Sequence, residues 1–113
     1  MDVAELFRAL SDETRLRIVN LLSRGRAMAV CDLVAAMEMP QWHISRHLSR
    51  LLQAGVVRAQ RSGARRYYSL RDDVQQVVAN IMAAVRDKLD QTTMGADLQR
   101  LTQLLRRESI PDA

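Results

Sequence analysis

Apolar positions recur along this chain as helical stripes, interrupted once by a segment of a different period. Val3, Leu6, Phe7 and Leu10 stand at i, i+3, i+4 and i+7, the spacing of one helix face, and predict a short helix over residues 2–10. That face packs either on the chain's own core or on a second subunit. Ser11 is placed to cap a second helix, with Asp12 and Glu13 where the dipole favours anions. Leu16, Ile18, Val19, Leu21 and Leu22 are too many for one stripe, so this helix, ending near Ser23, should be buried on most sides. Arg24-Gly25-Arg26 closes it. Ala27 to Val30 is a short apolar link, able to form a minimal strand. A third helix follows from Cys31 to Met37 with Leu33, Val34 and Met37 inward, and Glu38-Met39-Pro40 is a turn into the next helix.

The stretch from Pro40 to Leu70 changes character twice. Ile44, Leu48, Leu51 and Leu52 put one apolar stripe on a helix that Pro40 can open, because its fixed φ and missing N–H cost nothing at a helix start. Trp42, Arg46, Ser49 and Gln53 point away from the stripe, with His43, Ser45 and Arg50 on its flanks. Gly55 can take the left-handed conformation that ends a helix. The period then shortens to that of strands: Val56-Val57 starts one, Ser62-Gly63 turns it, and Arg65 to Leu70 returns. Two helices joined by a three-residue turn, then a hairpin, make a helix-turn-helix with a wing. The expected class is mainly α with a small β-hairpin.

Beyond the hairpin, Asp72 or Asp73 starts a long helix with a stripe of Val74, Val77, Val78, Ile81, Met82, Val85 and Leu89. Gly95 is the expected break or kink, and Leu98, Leu101, Leu104 and Leu105 continue an amphipathic pattern that either prolongs the helix or folds back. All 113 residues suit a single domain, with residues 72–113 as a dimerisation segment. So small a domain has little room for this extra surface. A homodimer through the first and last helices is the expected solution, and twofold symmetry would present two recognition helices to a palindromic operator.

Charge sharpens the functional reading. The net charge is only +4, yet residues 41–71 hold seven arginines (Arg46, Arg50, Arg58, Arg61, Arg65, Arg66, Arg71) and none of the chain's thirteen carboxylates. An acid-free basic window is an electrostatic footprint for a polyanion. Lys88 is the only lysine, and arginine favours bidentate contact with phosphate or guanine. A winged-helix module for protein interaction would not need such a surface. No run approaches the length of a membrane span and the acid-bearing N-terminus is unlike a signal peptide, so the expected location is the cytoplasm. The one cysteine, Cys31, excludes an internal disulfide. It is either a small buried hydrophobe or a reactive thiol at a helix N-terminus, a candidate sensor of oxidants, electrophiles or a thiophilic metalloid. Nothing accompanies it as a base or substrate loop, so an enzyme is not expected. His43 and His47 stand at i and i+4, a spacing that can hold a metal, but no third ligand is near in sequence, and no metal site is assigned.

The segments LFRALSDETRLRIVNLL (6–22), VCDLVAAM (30–37), QWHISRHLSRLLQAGVV (41–57) and RSGARRYYSL (61–70) together resemble the ArsR/SmtB family of bacterial winged-helix repressors. The resemblance implies a homodimeric repressor that leaves its operator when an effector binds. It implies that Gln41, His43, Ser45, Arg46 and His47 lie at or near the major groove, and that Arg61, Arg65 and Arg66, around Gly63, reach the minor groove or backbone. From its place beside the apolar stripe, His47 is expected to contact phosphate or structure before a base. Arsenic-sensing members carry Cys-x-Cys-x-x-Cys at the start of the third helix. The corresponding Ala29 to Val34 keeps only Cys31, so that trithiolate site is absent. The last-helix metal site of other members uses Asp, His and Glu. Here the last helix has no histidine, and Asp72, Asp73, Asp87 and Asp90 read as caps and solvated face.

Overall fold

A computed structural model describes residues 2–24, 26–90 and 93–109. Gly25, part of the expected close of the second helix, lies outside them. Among the described residues, seven helices and three strands follow in the order α1 (Val3–Leu10), α2 (Glu13–Leu22), β1 (Met28–Ala29), α3 (Val30–Met37), α4 (Gln41–Gln53), β2 (Val57–Ser62), β3 (Arg65–Leu70), α5 (Asp72–Ala84), α6 (Arg86–Asp90) and α7 (Thr93–Ser109). The core is the meeting of α2, α3 and α4 on the sheet, with Ile18, Leu21, Leu33, Ile44, Leu48 and Leu51 sealed from solvent. α2 is buried on most sides, as its dense apolar pattern requires.

The start of α2 differs from expectation by one residue. Ser11 has helical backbone angles and closes α1, its hydroxyl donating to the Arg8 carbonyl at 2.7 Å. Asp12 has the extended backbone an N-cap needs and accepts from the Arg15 N–H at 3.0 Å. Of the α1 face, Leu6 and Leu10 are buried whereas Val3 and Phe7 are exposed.

The sheet order is β1-β3-β2, all antiparallel. Met28 and Ala29 pair with Tyr68 and Tyr67, so the apolar link does form a strand against the wing. Ser62 pairs with Arg65, which moves the tight turn to Gly63-Ala64. Gly63 has φ +64, open to glycine and costly for a side chain. Gly55, with φ +76, ends α4 as expected.

The C-terminal part is where sequence and structure part most. The expected long helix stops at Ala84. Val74, Val78 and Met82 are buried, but Val77 and Val85 are exposed, and the side chain of Leu89 lies outside the described residues. Gly95 sits within α7, so the break falls before it. α7 turns back to pack on α3 and α2, burying Leu101 in the same core. The surplus apolar surface of the tail is thus partly covered within the chain.

Candidate DNA-reading surface

α4 lies with its apolar stripe in the core, which leaves a continuous polar face outward. Gln41, Arg46, Ser49 and Arg50 are exposed, Ser45 is half-buried, and Trp42 is 66% exposed in the first turn. The wing adds exposed Arg61, Arg65 and Arg66, with the Arg66 guanidinium 5.3 Å from the centre of the Tyr68 ring. Arg46, Arg50, Arg61 and Arg65 form no ion pair among the described residues. Arg58 and Arg71 are engaged, the first donating to Ser69 at 3.3 Å and the second facing Asp73 at 3.5 Å. Four uncompensated guanidiniums on one helix and one hairpin suit a phosphate backbone.

The two histidines do something else. Both are half-buried with their rings turned to the first turn of α2. His43 Nε2 is 3.2 Å from Thr14 Oγ1, and His47 Nδ1 is 3.4 Å from the Arg15 guanidinium and 3.6 Å from Asp12. Arg15 is itself anchored, donating from Nε to the Ala9 carbonyl at 2.8 Å. The rings of Trp42, His43 and His47 form a short aromatic column, with centroids 5.2 and 5.0 Å apart. Asp12, Thr14 and Arg15 therefore support the recognition helix from behind, a role the pattern of apolar positions could not reveal. The clustering of polar residues in Ser-Asp-x-Thr-Arg is the signal in the sequence that could have marked it.

Burial holds the His47 pKa below its ordinary 6.5, with His43, Arg15 and Arg46 acting in the same direction and Asp12 opposing. The unfolded chain then binds the proton more readily than the folded one. This contribution to stability is complete above 6.5 and is lost as the pH falls through the depressed folded-state value. Urea midpoints measured across that window should fall with pH for the wild type and fall less for His47→Gln; equal slopes would show that His47 does not carry the effect.

Cys31 is exposed at the second position of α3, which removes its reading as a buried hydrophobe. Among the described residues no three His, Cys, Asp or Glu side chains are grouped to hold a metal ion. No helix among them is long and apolar enough to cross a membrane.

A helix-turn-helix whose second helix bares a basic face, followed by a basic hairpin, defines a winged helix-turn-helix DNA-binding protein. The chain belongs to the arsR family of bacterial regulatory proteins, whose family profile matches residues 12–59. It is 36% identical over 108 residues to the arsenic resistance transcriptional regulator ArsR1 of Pseudomonas putida, covering 96% of this chain and 84% of that one. With the arsenical resistance operon repressor of Escherichia coli it shares 40% identity over 78 residues, 69% of this chain and 67% of that protein. Among solved structures it resembles the homodimeric winged helix-turn-helix DNA-binding domain of a possible ArsR-family transcriptional regulator from Mycobacterium bovis. That match has a TM-score of 0.67 and 31% identity, and covers 80% of this chain and 83% of that one. The AntR antimony-specific transcriptional repressor matches with a TM-score of 0.65 and 30% identity over 80% of this chain and 81% of its own. The protein is thus a DNA-binding transcriptional regulator of the ArsR type, and its family is a class of regulators, not of enzymes.

Proposed function

We propose that this chain acts in the cytoplasm as a homodimeric repressor that binds a palindromic operator and is released by an effector. The observation that carries the reading is the acid-free face of α4 and wing, with Arg46, Arg50, Arg61 and Arg65 unpaired among the described residues. Gln41, Trp42, Ser45, Arg46, Ser49 and Arg50 meet the major groove and its phosphates. Arg61, Arg65 and Arg66 meet the adjoining backbone or minor groove. His43 and His47 act at the edge of the groove, chiefly by holding the helix against α2. Dimerisation is supported by the exposed apolar side chains of Val3 and Phe7 on α1 and Val77 on α5, which border one cleft, and by the homodimeric M. bovis relative. With α7 folded on its own chain, α1 and α5 are the helices that would meet the partner.

Relatives named for arsenic and mercury resistance make a thiophilic effector the first to test, and the exposed Cys31 thiol is the candidate sensor. The deciding experiment is fluorescence anisotropy of a labelled duplex from the protein's own promoter. Binding should be tight, selective over random duplex and steeply salt-dependent. Trivalent arsenic or antimony, zinc and peroxide are then added to wild type and Cys31→Ser. Release of the wild type alone would make Cys31 the sensor, whereas identical responses would exclude it. Failure to prefer the promoter duplex would defeat the repressor reading itself.

A further inference from the structure

The turn between α3 and α4 sets the angle of the recognition helix, and it is held from outside the helix-turn-helix. A helix ends with carbonyls that have no partner inside it. Here the Ala36 carbonyl accepts from Arg100 Nε at 2.6 Å and the Met37 carbonyl from Arg17 Nη2 at 3.0 Å. Both guanidiniums are gripped by one carboxylate, that of Asp97 on α7, which has no exposed surface. Asp97 takes two 2.8 Å bonds from Arg17 and a 3.1 Å bond from Arg100. Glu38, the next residue, is the only non-glycine with positive φ among the described residues, at +52, a conformation in which Cβ crowds the backbone. Its carboxylate is 2.8 Å from Arg100 Nη1.

From this we infer that α7 is a brace for the recognition helix, with Asp97 and Arg100 as positioning residues for operator recognition although both lie on a helix outside the helix-turn-helix. Arg100 spans the turn: one edge caps α3, the other fixes Glu38 in its left-handed geometry, and Asp97 locks the guanidinium in place. Loosening this brace lets α4 change its tilt on the core, which blurs base readout more than it weakens attraction to phosphate. The inference rests on the DNA-binding reading above and deepens it.

Arg100 is half-buried, so Arg100→Met is the test variant, with Arg100→Lys as the conservative control and Asp97→Asn as a second probe of the same knot. The quantity measured is the ratio of affinity for the promoter duplex to affinity for a random duplex of equal length. Trp42, the only tryptophan and in the first turn of α4, reports helix orientation through near-ultraviolet circular dichroism. Arg100→Met should keep the helical content of the wild type, lose roughly tenfold in the ratio and change the Trp42 signal. Arg100→Lys should recover part of both. A wild type that discriminates and an Arg100→Met that discriminates within about twofold of it, with an unchanged Trp42 signal, would overturn the inference alone. A wild type that prefers neither duplex would overturn the DNA-binding reading and this inference with it.

Discussion

Asp97→Ala is expected to destabilise the protein by about 3–5 kcal/mol, the range for removing one partner of a buried pair. The cost lies in what is left behind. Asp97 is fully buried and the Arg17 side chain is 7% exposed, so deletion of the carboxylate strands a guanidinium where water cannot replace the lost bonds. In the native protein the same carboxylate raises the Arg17 pKa above its ordinary value, chiefly through their hydrogen bonds; without it the guanidinium still keeps its proton, because an arginine does not deprotonate in a protein, and it cannot relieve the loss by neutralising. The exposed Arg71–Asp73 pair, at 53% and 54%, is the internal comparison. Asp73→Ala should cost below about 1 kcal/mol. Equilibrium urea unfolding of both variants tests the contrast. A replacement of both partners, Arg17→Met with Asp97→Leu, should recover much of the loss, because no unpaired charge remains. If Asp97→Ala unfolds at the wild-type midpoint, the interhelical knot contributes nothing to stability.

The second large effect concerns the wing. Neutralising Arg61, Arg65 and Arg66 to glutamine should reduce operator affinity by roughly a hundredfold at physiological salt and lower the slope of log K against log salt by about 0.9 for each phosphate contact removed. All three are exposed, and the substitution gives up the face of Arg66 on Tyr68, about 0.5–1 kcal/mol at an exposed site. The fold should therefore survive while binding fails. Anisotropy titrations at several salt concentrations distinguish this from a loss of base contacts, which lowers affinity with little change of slope. An unchanged slope would remove the wing from the phosphate backbone and leave binding to α4 alone.

Much of the candidate site is legible in the sequence. Trp42, Arg46 and Ser49 fall on the outward face because helical period alone assigns faces once Ile44, Leu48 and Leu51 are taken as inward. The small sheet was legible for a similar reason, since Gly63 and the β-favouring Tyr67-Tyr68 leave few alternatives. The histidines show the limit. Their position beside the stripe made them ambiguous, and only the approach of α2, 29 residues away in sequence for Thr14 and His43, decided that the rings turn inward. Ser11 and Asp12 are adjacent good caps, and the choice between them lay in the backbone angle at the α1–α2 corner.

The tail carries the lesson furthest. Its apolar repeat determined helices, because periodicity is a local property, and it correctly marked Val74, Val78 and Met82 as inward. Where the chain would turn back was not local. Asp97 falls on the same face of its helix as Leu101 and Leu104, and a carboxylate can sit there fully buried because Arg17 and Arg100 meet it. Local patterning was enough for the winged helix-turn-helix, the basic outward face of α4 and wing, and the family. The tertiary structure alone decided the fold-back of α7, the inward histidines and the exposure of Cys31. The fold-back and the inward histidines depend on pairings between residues up to 80 positions apart, as in Arg17 with Asp97, and no local period encodes them.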